Sequence, residues 1–275
     1  MKIYPHRFLT IRILYCLVIL FWIAAPGMTS AAAFDHSYPQ YDTLLKRFVS
    51  AGRVDYQGLK ADPAVLNAFM DRTAAVPEAQ LNAWTETERL TFLINLYNAA
   101  TLKLIIDHYP LESIKDIGNF FKGPWDQPVV RLFGEAITLD NVEHDIIRKQ
   151  YSEARIHVAL VCAAKGCPPL RSEAYAPARL DRQLDDQSRV FLRSPEGLRI
   201  DREKNTVYVS SIFKWYGEDF VAGYTPESGF DQLGRTEQAV AHFCSRYLPP
   251  SQSEFLKAGR YDMKYLDYDW SLNEQ

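Results

Sequence analysis

Cysteine, clusters of positive charge and internal repeats are all scarce in this sequence. The 275 residues contain four cysteines, and none of them forms a Cys-x-x-Cys pair. Lys and Arg total 31 against 34 Asp and Glu, which gives a net charge of −3. No basic cluster reaches the density that is typical of nucleic-acid-binding segments, so no nucleic-acid partner is expected. The absence of repeats and of low-complexity linkers favours one domain.

The first 33 residues have the pattern of a secretory signal peptide. The basic residues that open this stretch are Lys2, Arg7 and Arg12. An apolar run, ILYCLVILFWIAAPG, follows them, and the small residues Ala31 and Ala33 suit a cleavage site before Phe34. The run is shorter than the roughly 20 residues that span a bilayer, which favours cleavage over anchoring. We therefore expect a signal peptide at 1–33 and a single periplasmic or secreted domain at 34–275.

The chain beyond residue 33 contains three cysteines, Cys162, Cys167 and Cys244. This odd number allows at most one internal disulfide and leaves one thiol free. In an oxidising compartment, two neighbouring thiols tend to oxidise. No apolar run after residue 33 is expected to span a membrane.

The order of predicted helices and hairpins indicates the α+β class. Amphipathic patterns predict helices in YDTLLKRFVSAGR, DPAVLNAFMDRTAAV, DNVEHDIIRKQY, PARLDRQLDDQSRVFLRS and FDQLGRTEQAVAHFCSRYL. Alternating patterns predict hairpins in QPVVRLFGEAITL, with Gly134 in its turn, and in GLRIDREKNTVYVS. The pattern predicts a mainly antiparallel sheet packed on a buried central helix, with further helices at the periphery.

The central helix is predicted from TETERLTFLINLYNAATLKLIIDHYP. Thr85 and Glu88 form a capping box at its start, and Pro110 marks its end. Apolar residues cover nearly every side of this helix, as in a helix buried on all sides. Asn95 and Asn98 interrupt the apolar surface, and their amides must find partners because an unpaired buried polar group costs roughly 1–3 kcal/mol. The structural interpretation, which is favoured, is that the two amides brace loops. The functional interpretation is that they orient a catalytic group or bind a substrate.

Three polar residues share part of the next predicted helix. Glu143 lies on its core-facing side, where reciprocal capping with Asp140 offers a structural explanation. The helix dipole disfavours a charged imidazole in the first turn, so His144 is expected to be a neutral ring that acts as a base or a ligand. Arg148 lies on the neighbouring face. Together, Glu143, His144 and Arg148 indicate a candidate site.

The segment RIHVALVC is apolar on both faces and predicts a central strand. In a strand, His157 and Cys162 point to opposite faces and lie roughly 13–17 Å apart. On this prediction His157 cannot be a partner of the cysteines.

The segment CAAKGCPPLR supports several kinds of chemistry. Cys162 and Cys167 are close enough in sequence for a disulfide that locks the turn. Cys167 also suits a nucleophile, because Gly166 lets the backbone bend and Lys165 stabilises a thiolate. Zinc needs four ligands at recognisable spacings, and no second ligand pair is evident. We therefore expect neither a metal nor a cofactor.

Four segments, taken in order, resemble one known family. They are FLINLYNAATLKLI, ITLDNVEHDIIR, HVALVCAAKGCPPLRSEAY and VSSIFKWYGEDF. Over about residues 54–220 the chain is similar to the family called domain of unknown function 547. This resemblance implies an exported bacterial protein. Some homologues are fused to glutaredoxin-type domains, and plant members carry coiled coils. The positions that the resemblance marks are Asn95, Tyr97, Asn98, Glu143, His144, Arg148, His157, Cys162, Cys167, Pro168, Leu170 and Arg171.

The predicted architecture is also analogous to papain-like and transglutaminase-like folds. In those folds the catalytic cysteine begins the buried helix, whereas here that helix has no cysteine.

Three functional hypotheses follow from the sequence. The first is a thiol-dependent hydrolase or transferase that acts on a peptide or amide in the cell envelope, with Cys167 as nucleophile and His144 as base. Glu143 and Asn98 would complete its catalytic group. Asn95, Arg148 and Arg171 would bind the substrate.

The second hypothesis is a non-catalytic envelope module that binds a peptide or an envelope component through a structural Cys162–Cys167 loop. The third is thiol redox chemistry at Cys162 and Cys167.

Overall fold

The protein is described here from a computed structural model, which covers residues 33–119 and 121–275. The predicted signal peptide therefore lies outside the described residues, except for Ala33. Asp35–Gln275 forms one compact unit. Helices and small sheets both contribute to it, which confirms the α+β class.

Ten α-helices are formed by the described residues. They are α1 (Pro39–Phe48), α2 (Tyr56–Ala61), α3 (Ala64–Ala74), α4 (Glu78–Ala83), α5 (Glu86–His108), α6 (Arg148–Gln150), α7 (Leu180–Arg193), α8 (Ile212–Tyr224), α9 (Arg235–Tyr247) and α10 (Pro250–Ala258). Seven short strands form three sheets. They are β1 (Val49–Ser50), β2 (Arg53–Val54), β3 (Val130–Leu132), β4 (Glu135–Ile137), β5 (Leu198–Asp201), β6 (Thr206–Val209) and β7 (Asp262–Tyr265).

The central helix α5 begins and ends where the sequence predicts. Thr85 and Glu88 form the capping box, with the Glu88 carboxylate accepting from the Thr85 backbone at 2.8 Å. Sixteen of the 23 residues of α5 are buried. Burial of each large apolar side chain contributes roughly 1.5–3 kcal/mol, so α5 anchors the core.

Contrary to expectation, one helix after residue 33 is long and apolar enough to cross a membrane, whereas the absence of a span there stays a prediction. Among the described residues α5 alone meets both criteria, but 89% of its most apolar window is buried inside the protein. The helix is therefore the centre of the fold, as its all-round apolar pattern indicates.

Both predicted hairpins are present and antiparallel. β3 pairs with β4 through a turn in which Phe133 and Gly134 have φ of 55° and 84°. Two successive positive φ values are typical of a tight hairpin turn. β5 pairs with β6, and β7 then adds to β6 in the parallel direction.

The predicted central strand RIHVALVC is wrong. Ala154–Val158 forms a 3₁₀ turn, and residues 159–162 have no regular structure. The side chain of Asn98 supplies the hydrogen bonds that a neighbouring strand would have made. Its amide nitrogen donates to the Ala159 carbonyl and its oxygen accepts from Val161 N–H, both at 3.0 Å. The apolar pattern reflects burial on several sides, which periodicity alone does not distinguish from a strand.

The helix predicted at 140–151 begins with a different cap and a wider turn. Asn141–Ile147 is π-helical and leads into α6. Asp140 makes no side-chain cap, so its predicted reciprocal capping with Glu143 is wrong. Thr138 and Asn141 make the reciprocal pair instead, with Asn141 N–H donating to the Thr138 hydroxyl at 3.0 Å and Thr138 N–H to the Asn141 side chain at 3.2 Å. Glu143 is therefore free to make tertiary contacts.

Candidate thiol site

The six residues 162–167, which we call the thiol loop, bring two sulfur atoms together. Cys162 Sγ and Cys167 Sγ lie 2.8 Å apart, and Cys162 N–H donates to Cys167 Sγ at 2.9 Å. Ala163 bends the loop with a φ of 59°. Cys162, Cys167 and Cys244 are all free thiols. The two sulfur atoms of the loop thus need little movement to become a disulfide.

A distant segment holds the thiol loop in place. Residues 266–275, which we call the clamp segment, run beside it. Lys165 N–H donates to Ser271 O and Gly166 N–H to Asp269 O, both at 2.8 Å. Asn273 N–H donates to Ala163 O at 2.9 Å. A Cβ on Gly166 would lie 2.9 Å from the backbone nitrogen of Asp269, so only glycine allows this approach.

Tyr268 of the clamp segment contacts one thiol directly. Its hydroxyl oxygen lies 3.0 Å from Cys162 Sγ. Burial raises the pKa of the Tyr268 hydroxyl, and the two sulfur atoms raise it further. The hydroxyl therefore keeps its proton and can donate it to a Cys162 thiolate.

The two thiols differ in acidity. Burial alone would raise the pKa of Cys162, but hydrogen bonds from Cys167 and Tyr268 outweigh it and lower that pKa. Burial raises the pKa of Cys167, and the hydrogen bond and negative charge of Cys162 raise it further. Cys162 is also partly exposed, whereas Cys167 is buried. Cys162 is therefore the more acidic and the more accessible member of the pair.

A cavity of about 430 Å³ opens beside the two thiols. Its aromatic walls are Tyr97, Trp125, Trp215, Tyr216, Tyr268 and Trp270. Its ionisable side chains, besides the thiols, are Asp126, Asp140, Glu143, His144 and His157. The cavity thus brings together the predicted site residues Glu143, His144 and Cys167, and it adds His157 and Cys162.

His157 belongs to this site, contrary to the strand-based exclusion. Because residues 154–162 are not a strand, the argument from alternating faces does not apply. The His157 ring is buried, stacks on Tyr216 with centroids 4.2 Å apart, and places Nε2 2.8 Å from an oxygen of Asp219. Its Nδ1 lies 4.0 Å from Oε1 of Glu143.

Asp219 contacts both Arg148 and His157 near the cavity. Arg148 donates to it through Nε at 2.6 Å and through a second nitrogen at 2.9 Å. Burial alone would raise the pKa of Asp219, but the hydrogen bonds from His157 and Arg148 hold it well below its ordinary value. Arg148 is therefore occupied as an ion-pair partner, and its remaining nitrogen lies 2.8 Å from His144 Nδ1.

Glu143 is the most deeply buried carboxylate of the cavity. Its side chain accepts a hydrogen bond from the Tyr97 hydroxyl at 3.0 Å, and the residue is only 7% exposed. Burial raises the pKa of the neighbouring Tyr216 hydroxyl, and the Glu143 carboxylate raises it further. The π-helical turn places Glu143 here, and such turns frequently occur at functional sites.

The other predicted site residues make structural contacts. Asn98 braces residues 159–161, as described above. The side chain of Asn95 accepts from Tyr175 N–H at 3.0 Å and donates to Tyr175 O at 2.8 Å. Arg171 pairs with Glu173 at 2.6 Å and with Asp186 at 2.8 Å, and it lines a separate groove. The structure therefore does not bring Asn95 and Arg171 into the cavity.

Sequence reasoning missed the residues that come from α8 and the clamp segment. These are Trp215, Tyr216, Asp219, Tyr268 and Trp270. The stretch DYDW, which contains Tyr268 and Trp270, has no periodicity or motif that singles it out. Among the described residues, no group of three His, Cys, Asp or Glu side chains has the arrangement of a metal site.

The fold and site define an α+β protein with an asymmetric thiol pair at the wall of an aromatic, acidic cavity. Residues 81–192 match the family model described as "Protein of unknown function, DUF547", which supports the family resemblance of the chain. The matched segment contains the thiol loop and Glu143, whereas the clamp segment lies outside it. Comparison with curated proteins and with solved structures found no match.

Proposed function

We propose that this protein carries out thiol–disulfide exchange, with Cys162 as the attacking thiolate and Cys167 as the resolving thiol. The observation that carries this proposal is the contact of the two sulfur atoms at 2.8 Å, with Tyr268 hydrogen-bonded to Cys162. A lowered pKa on the accessible thiol and a raised pKa on the buried one are the properties that a two-cysteine exchange site needs.

The first step is attack of the Cys162 thiolate on a substrate disulfide. One sulfur of the substrate becomes bonded to Cys162, and the other leaves as a thiolate. This step removes the negative charge of Cys162, which contributes to the raised pKa of Cys167. Cys167 becomes easier to deprotonate at the stage when its attack is required.

In the second step Cys167 attacks Cys162 of the mixed disulfide. Its proton passes to the departing substrate thiolate, and a Cys162–Cys167 disulfide remains. The substrate has then gained two electrons and the protein has lost two. An external dithiol returns the protein to its reduced form, and the reverse sequence oxidises a substrate dithiol.

A hydrolase with Cys167 as nucleophile and His144 as base draws less support from the contacts. His144 Nδ1 lies 2.8 Å from a nitrogen of Arg148, and its Nε2 lies 3.4 Å from Asp140. Among the hydrogen bonds of residues 33–119 and 121–275, none joins a histidine to either sulfur of the thiol loop. Base catalysis requires such a contact or one bridging water.

We also propose export of the chain, supported by the signal-peptide pattern of residues 1–33. An envelope peptide or protein with a disulfide is then the expected partner. Mass measurement of the protein recovered from the native compartment tests this point: cleavage before Phe34 is the expected result, and an intact N-terminus in the cytosol contradicts it.

The exchange proposal is tested by trapping the mixed disulfide. Reduced Cys167→Ser protein, incubated with glutathione disulfide, should accumulate one glutathione on Cys162, detected by intact mass and peptide mapping. The unsubstituted chain should instead form the internal disulfide, and Cys162→Ser should form neither product. Cys244→Ser is the matched control, because Cys244 is fully buried, and it should behave as the unsubstituted chain.

Two results would contradict the proposal. One is a rate of glutathionylation at Cys162 no faster than that of an unstructured thiol. The other is an internal disulfide that forms but cannot be reduced by a dithiol. Either result would support the alternative in which the thiol loop is a structural part of a binding module.

A further inference from the structure

The cavity beside the thiol pair is lined by carboxylates and aromatic rings and has no cationic lysine or arginine among its described lining residues. Glu143, Asp126 and Asp140 all contribute to the lining. The nearby Arg148 guanidinium is held by Asp219 through two hydrogen bonds and does not line the cavity. The lining therefore favours a ligand of positive charge.

Three aromatic side chains form one wall of this cavity. The ring centroids of Tyr268 and Trp270 lie 4.5 Å apart, and those of Trp215 and Tyr268 lie 4.9 Å apart. Trp215 is 46% exposed, which is unusual for so large an apolar side chain. A wall of this kind, open to solvent and bordered by carboxylates, has the composition of sites that bind organic cations.

One ring of the wall already binds a cation. The ammonium nitrogen of Lys115 lies 3.6 Å from the centroid of the Trp270 ring, and Lys115 itself does not line the cavity. Trp270 thus makes a cation–π contact with Lys115 and also contributes to the cavity wall.

The same wall includes the reactive thiol. Tyr268 contacts Cys162 through its hydroxyl and Trp270 through its ring. A group bound against Trp270 and Trp215 is therefore near Cys162, with Tyr268 as the side chain that contacts both Trp270 and Cys162. A ligand with a positive group and a sulfur atom a few bonds apart can occupy both places.

We propose that the substrate class of the thiol pair is a disulfide that carries an ammonium or guanidinium group next to the reacting sulfur. The cation lies against Trp215 and Trp270 with Glu143 as its counter-charge, and the sulfur faces Cys162. This inference rests on the exchange function proposed above. A disulfide of a peptide with lysine or arginine beside the cysteine has the required chemistry.

Three symmetrical disulfides that differ in charge test the inference. Cystamine is cationic, hydroxyethyl disulfide is neutral and dithiodiglycolate is anionic. Their second-order rates with reduced protein are divided by their rates with a small unstructured thiol, which removes differences in leaving-group reactivity. In ~0.15 M salt, where long-range attraction is screened, cystamine should retain an advantage of about tenfold over the neutral disulfide. Dithiodiglycolate should be the slowest of the three.

Two variants locate the preference in the cavity. Glu143→Gln removes the buried charge, and Trp270→Leu removes a ring while leaving an apolar side chain. Each should reduce the normalised cystamine advantage by about fivefold. Asp145→Asn is the matched control for charge, because Asp145 lies two residues from Glu143 and pairs with Lys149 outside the cavity. It should leave the advantage unchanged.

A competition measurement needs no variant and avoids any effect on folding. Butylammonium should slow the reaction of the neutral disulfide with Cys162, whereas butyrate at the same concentration should not.

The outcomes separate this inference from the exchange function. Equal normalised rates for the three disulfides, or equal inhibition by butylammonium and butyrate, would overturn the cation preference and leave the exchange function in place. Absence of any reaction at Cys162 would overturn both. If Glu143→Gln changed all three rates by the same factor, the carboxylate would act on the thiol rather than on the cation.

Discussion

The hydroxyl oxygen of Tyr268 lies 3.0 Å from the sulfur of Cys162, although 106 positions separate the two residues in the sequence. This contact joins the clamp segment to the more acidic of the two thiols. It makes the ionisation of Cys162 depend on a residue that lies outside the matched family segment.

Replacement of Tyr268 by phenylalanine should make Cys162 less acidic. A hydrogen bond to a charged group contributes roughly 1.5–3 kcal/mol, and about 1.4 kcal/mol corresponds to one pH unit. The midpoint of Cys162 alkylation by iodoacetamide should therefore move up by about one pH unit or more in Tyr268→Phe. In the unsubstituted chain the midpoint should lie below the ~8.5 of a free thiol.

The matched control for this measurement is Tyr265→Phe, since Tyr265 lies in β7 and is 37% exposed. Its alkylation profile should coincide with that of the unsubstituted chain. An unchanged profile in Tyr268→Phe would show that the hydroxyl does not stabilise the thiolate.

Asn98→Ala should destabilise the protein and loosen the thiol loop. The substitution leaves the Ala159 carbonyl and the Val161 N–H without their partner. Two unpaired buried backbone groups should lower the free energy of unfolding by about 2–5 kcal/mol, measured by urea denaturation. Asn82→Ala, at an exposed position of α4, should change it by less than about 0.5 kcal/mol. A small effect of Asn98→Ala would mean that the segment satisfies these groups in another way.

Gly166→Ala should detach the clamp segment from the thiol loop. The added Cβ would lie 2.9 Å from Asp269 N and 3.1 Å from the Tyr268 ring, so either the thiol loop or the clamp segment must move. We expect lower stability together with faster backbone hydrogen exchange at Lys165 and Gly166. Gly223→Ala is the control, because a Cβ there meets nothing within 4 Å in helix α8. It should be neutral or stabilising by up to about 1 kcal/mol.

Asp219 should contribute to acid sensitivity. Because its pKa in the folded protein is depressed below its ordinary value, its contribution to stability is fully present above about pH 4 and is lost as the pH falls further. Asp219→Asn should be less stable than the unsubstituted chain at neutral pH, and the difference should shrink below about pH 4. Thermal unfolding as a function of pH measures this, with Asp71→Asn, an exposed position in α3, as the control. A difference that grows on acidification would contradict the assignment.

The sequence predicts well where one physical cause acts locally. The capping box of α5 depends on residues three positions apart, and the all-round apolar surface of this helix directly reports its burial. The turn at Gly134 is equally local. Cys167, Glu143 and His144 could be assigned to one site because they are polar or reactive side chains in unusual surroundings.

Prediction failed where the cause was a distant partner. The segment 154–162 has the composition of a buried strand, but its backbone bonds are made by the Asn98 side chain. The strand-based argument about His157 failed with it, although no hydrogen bond among the described residues joins His157 to Cys162 or Cys167. The hypothesis that Cys167 is the nucleophile rests on Gly166 and Lys165 and stays a prediction. The relative acidity of Cys162 and Cys167 also depends on burial and on Tyr268, neither of which leaves a pattern in the neighbouring sequence.

The contact between Tyr268 and Cys162 also has a reciprocal effect. If the docked clamp segment favours the thiolate, the thiolate must favour docking by the same free energy. Conversion of Cys162 to a disulfide removes the charge that Tyr268 stabilises, while the backbone hydrogen bonds of the clamp segment to residues 163–166 and to Val54, Glu112 and Val209 remain. Oxidation should thus loosen the clamp segment at Tyr268, where the contact with Cys162 is lost, more than at its other residues.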